Sequence, residues 1–382
     1  MAHRSSTSSC TLALGAAVLM AMAPPAHAQG SRDLAAITAR VRNETERILR
    51  ETSIPAISIA LIREGEVVWA DAYGYANVGV GVRASADTYF STGSTLKPVT
   101  AAAIMQLVEA GKLSLDTPFN EIVGPAQAIE GADDVTLRHM LAHHAGLKGP
   151  LTIVPLWSRR SLLTPEAMLA ATKRVGPPGV DYYYCNECYT LAGYVIERVS
   201  GQPYDVYLSG RIFGPLGAAE VLPSLPSPSV VEHLALPYKS ENGVAIPIEQ
   251  IRTDVFAAGD AYLRAKDMAA FLAVLLNGGS YGGKRILSEE STAEIMKPQF
   301  EGSSSGLGIN VSELSGRAIV TKNGIFTGYH SHMIGDPATR NGVYVVSNST
   351  AAGRPVALLA RFALRLLWGE RPDPLPSFAE AR

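Results

Sequence analysis

Ser94 and Lys97 lie three residues apart in a segment that predicts the start of a helix. Positions i and i+3 share one helix face, so the lysine amine can be the base that a serine hydroxyl needs to become a nucleophile. Pro98 is tolerated only in a first helical turn, so we predict a helix from about Ser94 to a left-handed cap at Gly111. Ser94 would then lie at the helix N-terminus, where backbone N–H groups favour a developing anion.

Tyr184 and Asn186 form a second motif, after a loop signal at residues 176–179 and before a helical apolar pattern. Two residues apart at a loop edge, both side chains can point into one cleft. The tyrosine can donate or accept a proton, and the amide can hold a polar substrate group. Taken alone, the segment would be an ordinary aromatic cluster under a loop.

Lys322, Asn323 and Gly324 form a third motif, at the end of the strand-like run 317–321. A glycine beside a strand lets another backbone or a ligand approach closely. A lysine at that place can hold a carboxylate, although an exposed lysine near a turn often has no such role.

In this order, the three motifs resemble the penicillin-recognising serine hydrolases. The closer resemblance is to the branch with class C β-lactamases, D-alanyl-D-alanine carboxypeptidases, D-amino-acid peptidases and related esterases. Segments 140–147, 257–271 and 328–331 are also similar to family motifs, so the resemblance runs from about Ile54 to Asn348. Asn323 departs from the pattern, because the family usually has a hydroxyl residue there. The amide keeps polarity but cannot relay a proton as a hydroxyl does, which bears on β-lactam turnover more than on acyl transfer.

The resemblance implies a role for each motif residue. Ser94 would attack a carbonyl and become acylated, while Lys97 and Tyr184 share the proton transfers, and the sequence leaves open which of the two accepts the proton. The backbone N–H groups of Ser94 and Ile325 would form an oxyanion hole. Asn186 would hold the substrate amide. The remaining substrate-binding residues are those of the third motif, Lys322, Asn323 and Gly324, with Lys322 attracting a substrate carboxylate.

Composition and the first residues limit the function further. The chain has 382 residues, of which 47% are hydrophobic and 18% charged, so it can bury a large core. A formal net charge of −2 offers no basic field for nucleic acid. Residues 1–28 are typical of an export signal, with a weakly basic start, a short apolar stretch and the small residues Ala26 and Ala28 before the cleavage point. We therefore expect a periplasmic or secreted protein with no stable membrane insertion after cleavage; an uncleaved anchor is the alternative.

Cysteines and histidines raise two other possibilities. Cys185 and Cys188 could pair in an oxidising compartment, but we expect two buried thiols, with a redox switch as the alternative. His139 and His143 have the i,i+4 spacing of metal ligands on a helix. The glutamate of the metalloprotease pattern is absent, so we expect structural histidines, no metal site and no cofactor.

Strand-like segments lie at both ends of the chain and mostly helical segments lie between them. We predict an α/β fold in which helices sandwich one antiparallel sheet and an all-helical lobe is inserted, with the site at their junction. The predicted elements of the sheet domain are a helix over 33–52, a hairpin over 57–70, strands near 306–311, 317–321, 331–335 and 342–347, and a helix over 356–368. The predicted domains are a signal peptide (1–28), an α/β sheet domain (29–93 with 268–382) and a mainly helical lobe (94–267).

The expected function is a secreted serine hydrolase that cleaves amide bonds of small-molecule or peptide substrates bearing a carboxylate. The scissile bond would lie next to D- or non-standard residues, as in cell-wall-type or linearised toxin-type peptides. An esterase or a class C-like β-lactamase is the close alternative. An alternative of another class is a penicillin-binding sensor that is acylated once and turns over little.

Overall fold

A computed structural model of the chain describes Met1 and residues 26–379, with gaps at 156–157, 159–161, 219–221 and 224–230. Most of the predicted export signal lies outside the described residues. Contacts divide the chain into a short unit, residues 1–36, and a large unit, residues 37–382. The described part of the short unit, apart from Met1, is the beginning of the first helix.

The described strands outside the main sheet have two to four residues each, and all of the longer strands belong to the main sheet. In chain order they are β1 (Ala56–Arg63), β2 (Glu66–Asn77), β3 (Val82–Arg83), β4 (Phe90–Ser91), β5 (Leu147–Lys148), β6 (Ile153–Pro155), β7 (Lys173–Arg174), β8 (Leu222–Pro223), β9 (Tyr238–Glu241), β10 (Val244–Pro247), β11 (Ile251–Thr253), β12 (Ala261–Leu263), β13 (Ser280–Tyr281), β14 (Lys284–Arg285), β15 (Asn310–Leu314), β16 (Arg317–Phe326), β17 (Tyr329–Asp336) and β18 (Asn341–Ser347).

The described helices are distributed along the chain, with the longest ones near its two ends and at residues 97–109, 186–200 and 265–276. They are α1 (Ala26–Glu51), α2 (Lys97–Glu109), α3 (Phe119–Val123), α4 (Leu137–Leu141), α5 (Pro165–Ala171), α6 (Asn186–Ser200), α7 (Tyr204–Leu208), α8 (Phe256–Gly259), α9 (Ala265–Leu276), α10 (Glu289–Met296) and α11 (Gly353–Leu367). Of the helices in the described part of the chain, none is both long and apolar enough to cross a membrane.

Seven strands from the two ends of the chain form one sheet, in the order β15-β16-β17-β18-β1-β2-β3. All its pairings are antiparallel. Alternate residues of β1 face opposite sides: Ile59 belongs to a core with α11, whereas Ala60 belongs to the core that contains α9. A sheet that is apolar on both faces needs helices on both faces, which is why β1 is hydrophobic throughout. The predicted α/β class, with an antiparallel sheet covered by helices, is confirmed, while the exact domain boundaries stay a prediction.

Two predicted elements differ from the structure near the third motif. β16 continues to Phe326, so Lys322, Asn323 and Gly324 lie inside a strand, not after its end, because cross-strand pairing with β17 extends past them. The strand predicted from residue 306 begins only at Asn310. Gly308 explains the delay: its φ of +76° is not a strand conformation, and a Cβ there would lie 2.7 Å from the backbone carbon of Lys97.

Candidate active site

Ser94 lies in a 3-10 turn, Gly93–Leu96, that leads directly into α2, so the regular helix begins three residues later than predicted. β16 passes close to this turn because glycines leave room. A Cβ on Gly93 would lie 2.8 Å from the backbone N of Ile325, and one on Gly324 would lie 3.2 Å from the backbone N of Ser94. The two amides predicted as an oxyanion hole are therefore brought to one place by the contact between these glycines.

Lys97 is completely buried beneath Ser94. Its Nζ lies 3.1 Å from Ser94 Oγ and donates to Asn186 Oδ1 and to the carbonyl oxygen of Ala258, both at 2.8 Å. Burial, and secondly the charge of Lys322, hold the pKa of Lys97 well below its ordinary value. The two carbonyl-type oxygens can only accept, so when Lys97 is a neutral amine they take both of its hydrogens and leave its lone pair for the Ser94 hydroxyl.

Tyr184 is the second partner of the serine. Its hydroxyl donates to Ser94 Oγ over 2.7 Å. Burial raises the pKa of Tyr184 to about 12, so the phenol keeps its proton at neutral pH. The Nζ atoms of Lys97 and Lys322 lie 4.9 and 5.1 Å from the centre of its ring. The chain Tyr184 O–H to Ser94 O–H to Lys97 Nζ can thus pass protons in one direction.

The third motif supplies the next side chains. Lys322 is 5% exposed, and burial lowers its pKa to about 8. Asn323 is exposed and lies directly across the sheet from His332, whose Nδ1 contacts its Oδ1. Burial lowers the pKa of His332 to about 4, so this imidazole is neutral at neutral pH. Sequence reasoning missed His332, because only the register between β16 and β17 brings it to Asn323.

Cys185 and Cys188 form a disulfide bond, so the expectation of two free buried thiols is wrong. Cys185 is the N-cap of α6 and Cys188 lies in its first turn, which puts their Cα atoms 5.4 Å apart, within the range that a disulfide spans. Cys185 separates Tyr184 from Asn186, so the bond lies inside the second motif.

His139 and His143 have structural partners. His139 accepts the backbone N–H of Thr136 through Nδ1 and stacks on Phe300. His143 Nδ1 accepts the backbone N–H of Cys185 at 3.2 Å. Within the described ranges, no three histidine, cysteine, aspartate or glutamate side chains come together as metal ligands.

Two clefts meet at Ser94. The larger, about 590 Å³, is mostly polar, and its walls include Tyr182, Tyr184, Asn186, Asn310, Ser312, Thr321, Lys322 and Asn323. The smaller, about 380 Å³, is mostly apolar, and its walls include Leu151, Ile153, Ile251, Val255, Ala258, Ile325 and Phe326. Ser94, Asn186 and Ile325 line both, so Ser94 stands at their boundary.

The sequence profile of the β-lactamase family matches residues 37–367. Penicillin-binding protein 4 of Amycolatopsis lactamdurans is 29% identical over 260 residues, which is 66% of this chain and 67% of that protein. A proposed D-alanyl-D-alanine carboxypeptidase of Salmonella newport (strain SL254) is 26% identical over 302 residues, 69% of each chain. The octameric penicillin-binding protein homologue of Pyrococcus abyssi has a solved structure with 26% identity and a TM-score of 0.68, covering 90% of this chain and 78% of that one.

The chain belongs to the β-lactamase family, as the profile match over most of its length shows. The predicted kinship with penicillin-binding proteins and D-alanyl-D-alanine carboxypeptidases is confirmed. Within that family the protein is a serine hydrolase.

Proposed function

We propose that Ser94 is the nucleophile of a secreted or periplasmic hydrolase that cleaves amide bonds of peptides next to D- or non-standard residues. One observation carries the proposal: Ser94 Oγ lies between the Tyr184 hydroxyl at 2.7 Å and Lys97 Nζ at 3.1 Å. A nucleophile within hydrogen-bond reach of a base, with a second acid or base beside it, is the arrangement that acyl transfer requires. The names of the matched relatives, a penicillin-binding protein and a D-alanyl-D-alanine carboxypeptidase, support the substrate class.

The first step is attack on the carbonyl. Lys97 takes the Ser94 proton on its free lone pair while Oγ bonds to the carbonyl carbon. The carbonyl oxygen becomes an oxyanion, which the N–H groups of Ser94 and Ile325 stabilise, typically by about 3 kcal/mol per donor. This assignment makes Lys97 the proton acceptor of acylation, because its pKa is lowered while that of Tyr184 is raised.

The second step is expulsion of the amine. Tyr184 gives its proton to the leaving nitrogen as the C–N bond breaks, and the Lys97 ammonium, which holds the proton taken from Ser94, then reprotonates the Tyr184 phenolate. A water molecule then attacks the ester, gives one proton to this pair of residues, and releases the acid with Ser94 restored. Lys322 supplies the positive charge that attracts the carboxylate of a peptide with a free C-terminus.

Ser94→Ala, with Ser200→Ala as the matched control at the far end of α6, tests the proposal. Both variants and the wild type are incubated with a D-alanyl-D-alanine peptide, a mixed D-residue peptide, nitrocefin and p-nitrophenyl acetate. We expect peptide cleavage that falls by at least about 1,000-fold in Ser94→Ala alone, with an acyl adduct on Ser94 detected by mass spectrometry.

Other outcomes would redirect the proposal. Turnover of nitrocefin or of the ester without peptide cleavage would favour the β-lactamase or esterase alternatives. A stable Ser94 adduct without turnover would favour the sensor. Full activity in Ser94→Ala would refute the nucleophile. Export is tested separately, by finding the mature N-terminus of protein recovered outside the cytoplasm.

A further inference from the structure

The two clefts at Ser94 differ in chemistry, and Tyr184 lines only one of them. Tyr184 lines the larger polar cleft and is absent from the walls of the smaller one. In the proposed function Tyr184 protonates the leaving group, so the leaving group lies in the polar cleft. The acyl part of the substrate then occupies the apolar cleft on the other side of Ser94.

The apolar cleft has a rim of exposed aliphatic side chains. Leu151 is 53% exposed and Ile153 is 52% exposed, and both line this cleft. Exposed apolar side chains gathered around a concavity mark a ligand surface more often than scattered ones do. Among the described residues that line this cleft there is no aspartate, glutamate, lysine or arginine. Its histidine, His330, has its Nδ1 engaged with the carbonyl oxygen of Ser349 at 2.9 Å.

A buried carboxylate holds this rim in place. Asp254 is 2% exposed, and both of its carboxylate oxygens accept the backbone N–H of Thr152, at 3.0 and 2.9 Å. Strand pairing continues the contact, with Ile153 opposite Thr253. Thr190, on the helix that begins at Asn186, donates its hydroxyl to the Asp254 carbonyl at 3.2 Å. The aliphatic rim is thus fixed to the helix that carries part of the site.

We propose that the apolar cleft is an acyl-side subsite for a bulky, uncharged apolar group. Leu151, Ile153 and Ile251 determine its specificity, and Asp254 is a positioning residue that acts through the Thr152 backbone. The proposal rests on the proposed function and adds the chemistry of the acyl side to it. Burial of apolar surface supplies the preference, at about fourfold in kcat/KM for each methylene group that leaves water.

A series of p-nitrophenyl esters tests it, because the leaving group stays constant while the acyl group changes. We expect kcat/KM to rise from acetate through butanoate to 3-phenylpropanoate, and to fall for the hemisuccinate, which has a chain of similar length with a negative charge. In Ile153→Asn, kcat/KM should increase less, or not at all, with the size of the acyl group. Val244→Asn, at a valine equally exposed on β10 and outside the cleft, should leave it unchanged.

The positioning role of Asp254 has its own pair of variants. Asp254→Ala removes the acceptor for Thr152 and should raise KM for the long esters several-fold while kcat for the acetate stays unchanged. Asp254→Asn keeps one acceptor oxygen for Thr152 and should restore the wild-type preference for the long esters. If Asp254→Ala lowers kcat for all esters equally, Asp254 has only a structural role.

Two failures are distinguishable. Ser94-dependent turnover with equal kcat/KM across the series, or with the hemisuccinate preferred, would overturn the subsite and leave the proposed nucleophile intact. Turnover that survives Ser94→Ala would overturn the proposed function, and the subsite with it, since the cleft would no longer flank the reacting atom.

Discussion

The imidazole of His143 stacks on the phenol ring of Tyr184, with ring centres 4.3 Å apart and an angle of 29° between the planes. The same imidazole accepts the backbone N–H of Cys185, the next residue in the chain. His143 has a φ of 62°, in the left-handed region that few non-glycine residues adopt. Burial, and then the charge of Lys322, hold the pKa of His143 well below its ordinary value, so it supports Tyr184 as a neutral ring.

His143→Leu removes this support. The Cys185 N–H would be buried without an acceptor, at a cost of about 1–3 kcal/mol, and the Tyr184 hydroxyl would be less precisely held against Ser94. We expect kcat for p-nitrophenyl acetate to fall about 10- to 100-fold and the melting temperature to drop. His143→Asn is the matched variant, because its amide oxygen can accept near the Nδ1 position and asparagine tolerates a positive φ. Equal kcat in the leucine variant and the wild type would show that the stack has no role in positioning Tyr184.

Lys322 predicts a pH dependence that differs between substrates. Its pKa is about 8 because of burial, so the side chain is charged below pH 8 and loses its charge above it. KM for a peptide with a free C-terminal carboxylate should therefore rise as the pH passes 8, while KM for the neutral p-nitrophenyl acetate should not. In Lys322→Met, KM for the carboxylate peptide should no longer rise above pH 8, so the two substrates should show the same pH dependence of KM. The same variant should raise the pKa of Lys97, which the Lys322 charge lowers. The acid side of the pH profile of kcat should therefore shift to higher pH. A carboxylate peptide whose KM is flat from pH 6 to 9 would remove Lys322 as its partner.

Local sequence signals predicted the elements that carry the motifs. The two apolar runs on either side of residues 63–66 predicted the hairpin of β1 and β2, and Pro98 with Gly111 predicted the bounds of α2, with its start three residues too early. Short-range rules work here because a turn, a cap or a periodic face is decided by neighbours in the chain. The same rules brought Ser94 and Lys97 together, since one helical turn joins them.

Contacts between distant segments could not be predicted in this way. Asp254 meets Thr152 across 102 residues, and His332 meets Asn323 only through the register of β16 and β17. No helix or turn explains the spacing of the first pair. The second pair follows from the hairpin in which Phe326 lies opposite Tyr329, and it was missed because the predicted strand, 317–321, ended before Asn323. The disulfide was missed for a different reason: the Cys-x-x-Cys spacing was recognised, but its fit to the first turn of α6 depends on Cys185 being the N-cap.

The Cys185–Cys188 bond predicts an effect on both stability and catalysis. Both residues are fully buried, and the ring they close is short, so the loop-entropy contribution is small, about 2 kcal/mol. Cys185→Ala with Cys188→Ala should lower the free energy of unfolding by about this amount. It should also lower kcat several-fold, because Tyr184 and Asn186 flank Cys185. Unfolding in urea and ester turnover, each with and without reductant, measure the two effects. A double variant that matches the oxidised wild type in both would leave the bond without a role.

Asp260 predicts how stability depends on pH. The side chain is completely buried; its Oδ2 accepts the Thr253 N–H at 2.7 Å, and its Oδ1 has no hydrogen-bond partner among the described residues. Burial raises the pKa of Asp260 to about 7, so between its unfolded value near 4 and pH 7 the folded state binds more protons than the unfolded state. The contribution of Asp260 to the free energy of unfolding is therefore fully present at acid pH, and it is lost as the pH rises through 7.

Asp260→Asn should remove this dependence while keeping an acceptor for Thr253. Relative to this variant, the wild-type protein should lose up to about 4 kcal/mol in its free energy of unfolding between pH 4 and pH 8. Urea unfolding at pH 4.5, 6 and 7.5 measures it, with Asp181→Asn, at an exposed aspartate, as the control for the general effect of removing one carboxylate. Parallel pH profiles of the wild type and Asp260→Asn would mean that Asp260 is ionised in the folded protein, with its charge compensated by groups such as Arg252, whose charge lowers the Asp260 pKa.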